Sequence, residues 1–472
     1  MKSRFAPSPT GMMHLGNART ALFNALIAKN KQGVFLLRIE DTDKLRSESK
    51  YADVLMEDLL WLGLNWQEGP GVEDGNGPYW QSQRQEIYDH YYNHLMRENL
   101  AYPCFCSEEQ LALNRKLQLS MGKPPKYPGT CRNLTKEEVQ AKIDQGILPT
   151  LRFRVPENHE IAFTDLIHGA QVFKGNDIGD FIIRRADGSA SFIFCNAIDD
   201  AMMKVNYALR GEDHLTNTPR QIMILRALGL PEPTYGHIPL ILGNDGYPLS
   251  KRNGSRSVGE LREEGFLAVA VANHLARLGH YYTNNELMSL EELAENFAIE
   301  NINHSPAKFD FNQLLYWQKQ AVLKSSDKEF CHWMGEELFN SIPREHLALF
   351  IETVRNNVLF PKEIVVWSKL FFSDEFIYDD EQKAILKDAG LHFWEKALAI
   401  VNEFGCNYHT LVNGLKDSLS VSGKALFRPL RVALTGQEHG PELKNIFILL
   451  GDERLKRRLQ LTHKVFHVAA GL

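Results

Sequence analysis

The chain has 472 residues, 44% hydrophobic and 24% charged, with 53 Lys and Arg against 59 Asp and Glu. That is the composition of a globular protein of about three domains, able to bury full cores without disulfides. It excludes a disordered or collagen-like chain, and the formal charge of −6 argues against a uniformly basic nucleic-acid binder while leaving room for one basic face.

No apolar run reaches the 18 or so residues of a membrane helix. The N-terminal residues lack the apolar core of a signal peptide, and six cysteines are too few for a disulfide scaffold. A cytoplasmic protein with no membrane partner is expected.

In chain order, residues 4–11 are punctuated by Pro, Ser and Gly and read as a strand end turning into a loop. Between 17 and 29, Ala18, Leu22, Phe23, Leu26 and Ile27 recur on one helical face. Gly33 breaks that pattern, and the apolar run 34–39 ends in Glu40-Asp41-Thr42-Asp43. Strand, helix and strand in that order predict a βαβ opening. A helix over 49–62, a Gly-rich loop over 69–78 and a helix over 84–100 follow. Between Cys104 and Cys131 lies a polar insert with a short helix over 107–120.

Strands are expected at 151–155, 170–174, 180–185 and 190–195, and a helix at 217–229 with Pro219 in its first turn. The apolar run 238–242 enters the turn Gly243-Asn244-Asp245-Gly246. Beyond Gly259 the pattern is helical, over 260–279, 287–299, 310–325, 333–341, 344–355, 376–403, 407–419 and 440–466. The switch from mixed α/β to all-α falls near 310, the main expected boundary. Cys195, Cys331 and Cys406 sit in apolar or helical segments and read as core.

Three separated segments carry chemistry. Pro7-Ser8-Pro9-Thr10-Gly11-Met12-Met13-His14-Leu15-Gly16-Asn17 runs from a strand to a helix N-terminus. Gly16 permits close backbone approach, and helix N-terminal amides with an imidazole suit a polyphosphate. Alone, it reads more readily as a loop with a surface histidine. Leu249-Ser250-Lys251-Arg252-Asn253-Gly254-Ser255 joins movable residues to two cations that can meet developing phosphate charge, although such a pair is more often simply solvated. Arg210-Gly211-Glu212-Asp213-His214 packs charge around a flexible glycine.

Together and in this order, the segments resemble the class I aminoacyl-tRNA synthetases, and closely the glutamyl-tRNA synthetases of bacterial type. The resemblance spans nearly the whole chain. It includes the family's His-Ile-Gly-His motif at His14 to Asn17, Arg38-Ile39-Glu40-Asp41-Thr42-Asp43, Trp61-Leu62-Gly63-Leu64-Asn65-Trp66 and Gly77-Pro78-Tyr79-Trp80-Gln81-Ser82. It continues in Arg210 to His214, in the Lys-Met-Ser-Lys-Ser loop matched by Pro248 to Arg252, and in the segment from Gly423 to Gly436.

The resemblance implies an α/β fold, a Rossmann-type catalytic domain with an inserted acceptor-end domain, followed by an all-α anticodon-binding region. Its divisions would be 1–100 and 191–309 for the catalytic halves, the latter with the mobile phosphate loop and connecting helices, 101–190 for the insert, and 310–472 for the anticodon region. The implied reaction joins L-glutamate to the 3′-terminal adenosine of tRNA-Glu. ATP and Mg²⁺ first make a glutamyl-adenylate, with no covalent enzyme intermediate. A monomer is implied.

By the same resemblance, His14, Gly16, Asn17, Ser250, Lys251 and Arg252 are catalytic, and Lys251 meets the charge of the leaving pyrophosphate. Pro7, Thr10, Asp213, His214 and Leu249 join His14, Gly16 and Lys251 in binding ATP. Arg4, Ser8, Glu40, Phe192, Asn196 and Arg210 bind glutamate. The two arginines face carboxylates and Glu40 faces the ammonium, although Glu40 also reads as a cap or a surface ion-pair acid. The chain departs from the family at Asn17, which replaces a second histidine, at Phe192, usually tyrosine, and at Pro248, usually lysine. The Phe192 change removes a hydroxyl, and Pro248 removes a charge and stiffens the loop entrance.

Cys104 and Cys106, with Cys131 after 24 intervening residues, resemble the zinc site of some glutamyl synthetases, the fourth ligand being open between Asn133 and Tyr127. An unmetallated site of packed or free thiols is the alternative. In the helical half, Lys424, Arg428 and Arg431 are the expected tRNA contacts. The run Arg454, Lys456, Arg457, Arg458 reads either as a phosphate contact or as a solvated helix face. The competing functions are a synthetase charging tRNA-Gln with glutamate and a non-catalytic tRNA-binding paralogue. Retention of His14 and Lys251 argues against the second.

Overall fold

β1 (Lys2–Phe5), α1 (Leu15–Asn30) and β2 (Val34–Leu37) open the chain's first sheet, with Arg4 registered against Leu36 in a parallel pair. A parallel pair needs a crossover, and α1 supplies it, burying Leu15, Leu22, Phe23, Leu26 and Ile27. The computed structural model describes residues 1–43, 47–72, 75–249 and 256–467. These fall into two units, Met1–Glu263 with Ala268–Leu314, and Glu264–Leu267 with Leu315–Leu472.

In the first unit, α2 (Ser49–Trp61) and α3 (Gln85–Arg97) precede an insertion built on β3 (Ala101–Cys104). Its helices α4 (Glu108–Ser120) and α5 (Lys136–Asp144) each start with a capping box, at Ser107 with Gln110 and at Thr135 with Glu138. Next come β4 (Thr150–Phe153), the hairpin of β5 (Glu160–Asp165) and β6 (Gly169–Lys174), the single turn α6 (Gly175–Ile178) and β7 (Phe181–Arg184). β3, β4 and β7 make an antiparallel sheet. The chain then returns through α7 (Phe192–Met202), β8 (Tyr207–Gly211), α8 (Thr218–Leu228) and β9 (Thr234–Ile238).

The first sheet is parallel throughout, in the order β2-β1-β8-β9. The carboxyl ends of its four strands therefore open on one edge, where an α/β sheet binds its ligands.

Several sequence expectations are corrected. The strand over 190–195 is the start of helix α7. Phe192-Ile193-Phe194 has strand propensity, but Phe194 stacks on Tyr92 at 4.3 Å and lies edge-on to Tyr88, a packing that the helical face satisfies. Strands β3, β5 and β8 occur where none was expected. In the second half, spans read as single helices are broken by glycines with positive φ, at Gly265 (93°), Gly335 (89°), Gly390 (84°) and Gly451 (68°). Helices Pro361–Phe372 and Lys424–Thr435 were not among the expected spans.

The second unit is a helical assembly around Phe330, Phe350, Phe371, Trp394 and Leu430. Among the described residues, no helix is long and apolar enough to cross a membrane.

Candidate functional site

A pocket of about 570 Å³ lies at the carboxyl edge of the parallel sheet. Arg4 and Arg210 are the penultimate residues of β1 and β8, so sheet register alone carries both guanidiniums to this edge. Pro7, Ser8, Thr10, His14, Gly16, Asn17, Glu40, Phe192, Asn196, Asp213, His214 and Pro248 also line it. Leu249 is held beside it by its N–H to the Ile241 carbonyl at 2.8 Å. Ser250, Lys251 and Arg252 lie outside the described residues.

His14 is the N-cap of α1, its Nδ1 accepting from the Asn17 N–H at 3.4 Å. A Cβ on Gly16 would come within 3.1 Å of that imidazole, so only glycine lets the ring fold over the helix start without displacing a neighbour. The ring edge is open to solvent, yet the surrounding protein lowers its pKa, with Asp213 opposing. A neutral imidazole and free helix amides face the pocket together. The backbone N–H of Val258, the first residue of the helix Val258–Glu264, donates to the Met13 carbonyl at 3.0 Å and joins that helix to the same loop.

Beneath the pocket lies a buried ionic network. Arg4 Nε bonds both oxygens of Asp200 at 3.2 Å, and Arg38 reaches Asp200 at 2.7 Å and Glu40 at 3.0 Å. Arg84 bonds Asp199 at 2.7 Å, which Arg38 Nε also approaches at 4.0 Å. In this network three guanidiniums balance three carboxylates. Burial works against the Arg38 charge, but Asp200, Glu40 and Asp199 outweigh it and raise its pKa. Burial would likewise raise that of Asp200, but Arg4 and Arg38 hold it low. Burial raises the pKa of Glu40 despite Arg38.

Arg210 stands apart from that balance. Its Nη2 donates to Gln221 Oε1 at 2.6 Å and Thr218 Oγ1 at 2.8 Å, and its Nε to His237 Nε2 at 3.2 Å. All three partners are neutral groups. Its Nη1 is buried with no hydrogen-bond partner among the described residues, as is Glu40 Oε2. Gln221 then donates to Asn196 Oδ1 at 2.7 Å, and Asn196 donates to Glu40 Oε1 at 2.6 Å. One chain of hydrogen bonds therefore links a cation with a spare donor to a carboxylate with a spare acceptor. Glu40 is neither a helix cap nor a surface acid, being buried within this chain. Burial drops the Arg210 pKa to about 10, which still leaves it charged at neutral pH.

Phe192, the first residue of α7, lies 5.1 Å from the His214 ring. Burial drops the His214 pKa to about 4, so the pair presents two uncharged ring faces. Gly211 makes room for Asp213, whose Oδ1 would lie 2.4 Å from a Cβ there. Thr218, Gln221, His237 and Asp165 complete this floor, and none of them stands out as a site residue in the sequence. The one signal available for His237 is that of a lone histidine inside an otherwise apolar strand.

In the insertion, the thiols of Cys104, Cys106 and Cys131 lie within 4.8 Å of one another, with Cys106 and Cys131 Sγ at 3.7 Å. Tyr127 closes the group. Its hydroxyl is 3.4 Å from Cys104 Sγ and 3.6 Å from Cys106 Sγ, and accepts the Cys131 N–H at 2.8 Å. Asn133, the other residue considered for that place, is exposed. Burial would raise the Cys104 pKa, but the Tyr127 hydroxyl and Arg152 draw it down to about 7, while burial and the neighbouring thiols carry Cys106 up to about 11.

In the second unit, Lys424 is exposed, Arg428 pairs with Glu438 at 2.7 Å, and Arg431 donates to the Pro441 carbonyl. Beside Arg431 opens a groove of about 350 Å³ with Asn357, Glu363, Trp367, His439 and Gly440 in its walls. The basic run is not a uniform solvated face. Arg458 is buried, donating to the Leu370 and Leu434 carbonyls, and Arg454 and Arg457 share Asp374.

A parallel sheet with a pocket-lining loop and a helix N-terminus after its first strand, followed by a helical unit, is the arrangement of a class I tRNA synthetase. A family model described as "tRNA synthetases class I (E and Q), catalytic domain" matches residues 1–316, and one described as "Anticodon binding domain" matches 320–462. The chain is 55% identical over 460 residues to "Glutamate--tRNA ligase 1" of Coxiella burnetii (strain CbuG_Q212), covering 98% of this chain and 99% of that protein. It is 51% identical to "Glutamate--tRNA ligase 2" of Nitrosococcus oceani, covering 98% of each. The crystal structure of a glutamate tRNA ligase from Elizabethkingia meningosepticum, in complex with its amino acid, superposes with a TM-score of 0.89 at 26% identity, covering 98% of this chain and 99% of that one. The chain belongs to this family, the glutamate–tRNA ligases.

Proposed function

We propose that the chain is an enzyme that joins L-glutamate to the 3′-terminal adenosine of tRNA-Glu, with ATP as the energy source and a glutamyl-adenylate between the two steps. The observation that carries the reading is the pair of unmet buried groups, Arg210 Nη1 and Glu40 Oε2, at the two ends of one hydrogen-bond chain. Glutamate brings an ammonium for Glu40 and a carboxylate for Arg210. Glutamine would put a neutral amide against a buried guanidinium whose direct hydrogen-bond partners are all neutral, so the pocket disfavours it.

In this reading Arg4, Ser8, Phe192 and Asn196 shape the rest of the amino-acid site. ATP lies over Gly16 and the start of α1, its phosphates on the helix amides, His14 and Asn17, with Pro7, Thr10, Asp213 and Leu249 around it and its base on the Phe192 and His214 rings. Mg²⁺ accompanies the phosphates, held by them and by water. Ser250, Lys251 and Arg252 supply charge as pyrophosphate leaves. His14, neutral by its lowered pKa, donates a hydrogen bond from Nε2 and needs no proton transfer.

The insertion over 101–190 receives the acceptor end of the tRNA. Its thiols and Tyr127 fit a structural zinc ion. At Zn–S bonds of about 2.3 Å, tetrahedral sulfurs lie roughly 3.8 Å apart, close to the 3.7 Å between Cys106 and Cys131. In the helical unit, Lys424 and Arg428 meet phosphates and the groove beside Arg431 takes an unpaired anticodon base. The enzyme works as a monomer in the cytoplasm, where reduced thiols persist.

The test is glutamate transfer by the purified protein to isolated tRNA-Glu and tRNA-Gln, with glutamine as the control amino acid. Charging of tRNA-Glu with glutamate alone is the expected result. Equal charging of both tRNAs would make it a non-discriminating enzyme, and glutamine charging would overturn the assignment of Arg210.

A further inference from the structure

The guanidinium of Arg210 has donors only, so each of its partners must offer a lone pair. Gln221 and Thr218 offer oxygens. His237 offers Nε2 only if its ring hydrogen sits on Nδ1. That hydrogen has a partner in Asp165 Oδ2, 2.5 Å from Nδ1.

Asp165 is itself fixed. Its Oδ1 accepts the N–H groups of Ile167 and His168 at 2.9 Å and of His237 at 3.3 Å. The carboxylate therefore cannot turn, and Oδ2 is left for the imidazole. Arg210 and His237 are opposite one another in the β8–β9 register, so both side chains leave the sheet on the same face. Thr218, 2.9 Å from His237 Nε2, locks the same corner and has the His214 carbonyl, 3.4 Å away, as a further acceptor. Asp165, His237, Thr218 and Gln221 are all buried.

We propose that Asp165 and His237 are positioning residues for amino-acid selection. They hold the imidazole in its Nδ1–H form, so that Nε2 accepts from Arg210 Nε and turns the unpaired Nη1 toward the substrate's carboxylate. This rests on the assignment of Arg210 to that carboxylate made above. A protonated His237, or one carrying its hydrogen on Nε2, would set a donor against a donor. A carboxylate placed directly on Arg210 would neutralise the charge that glutamate has to meet. A neutral acceptor backed by a remote carboxylate aims the guanidinium and leaves its charge for the ligand.

Asp165→Asn separates this role from simple packing. Oδ1 keeps its three backbone N–H groups, so the new amide presents its NH₂ to Nδ1 and drives the ring hydrogen to Nε2, against Arg210. The glutamate KM in tRNA charging is expected to rise about tenfold or more, while the ATP KM stays within about twofold. His237→Leu is expected to do the same, and His237→Gln, whose carbonyl reaches toward Arg210, to recover most of the loss.

An unchanged glutamate KM in folded Asp165→Asn and His237→Leu, or equal losses for glutamate and ATP, would overturn the proposal. Arg210→Gln distinguishes the two levels. If it leaves the glutamate KM unmoved, the pocket assignment itself is wrong. If it raises that KM while the Asp165 and His237 variants do not, only the positioning role falls. Circular dichroism melts establish folding, and should Asp165→Asn unfold, the two His237 variants carry the test.

Discussion

Arg210 in the first unit and Arg458 in the second are both buried, yet they do opposite things. Arg458 spends its guanidinium on protein, with Nη1 on the Leu434 carbonyl, Nη2 on the Leu370 carbonyl and its face 4.1 Å from the Phe376 ring centroid. Arg210 keeps one nitrogen unmet and has neutral partners on the rest. Burial of a charge does not by itself mark a site. What separates these two arginines is the terminal nitrogen that Arg210, a residue of the pocket wall, has left over after the protein has taken its share.

The sharpest way to break that contrast is to exchange the expected losses. Arg210→Leu should lower kcat/KM for glutamate by about 100- to 1,000-fold, as when one partner of a buried charge pair is removed. Because Gln221, Thr218 and His237 lose a donor as well, some fall in the thermal melts is expected, and the loss in tRNA charging by the folded protein is the effect that counts. Arg458→Leu should lower only the stability of the helical unit, by about 2–4 kcal/mol through the orphaned carbonyls, while the glutamate KM holds. A large KM effect from Arg458→Leu would end the distinction.

The thiol cluster extends the comparison to leftover acceptors. The purified protein should carry about one zinc ion per chain, and Cys106→Ser should shed most of it, as measured by elemental analysis. Metal-free wild-type protein would mean that the thiols and Tyr127 satisfy one another.

Asp58 marks the limit of the rule, since an unmet buried group can also be a plain burden. Its carboxylate is buried with Arg262 3.5 Å from Oδ1, and burial pushes its pKa up to about 6 against that arginine's pull. A carboxyl whose folded pKa lies above its unfolded value of 3.8 binds its proton more tightly in the native state. Stability therefore falls as pH rises through the interval between those values. Asp58→Asn should raise stability by about 1–2 kcal/mol at pH 8 and far less at pH 4, in melts at both pH values.

Much of the pocket was legible because its residues sit in short contiguous signatures at strand ends. Arg4, His14, Glu40 and the segment from Arg210 to His214 declared themselves that way, and the structure gathers them at one sheet edge. What holds Arg210 was not legible. Asp165, Thr218, Gln221 and His237 come from β5, α8 and β9, carry no shared motif, and matter only through a register that pairs β8 with β9. β8 was itself unreadable, being five residues with a charged side chain near its end. Helix α7 was misread because its first three residues favour strand and only the packing of Phe194 decides otherwise. The interrupted helices of the second unit share another cause. Periodicity continues across Gly390 and Gly451, and the break lies in φ rather than in the apolar pattern.

The hydrogen-bond chain from Arg210 through Gln221 and Asn196 to Glu40 has a polarity, each amide turning its oxygen toward Arg210 and its nitrogen toward Glu40. That polarity makes the pocket hard to evolve by single steps. Replacing Arg210 with a residue that accepts would flip Gln221, then Asn196, and bring two oxygens face to face at Glu40. A lineage drifting toward a neutral amino acid would pass through that frustrated intermediate or change both ends at once. The identity of the substrate is thus guarded by epistasis among four residues, only two of which carry charge.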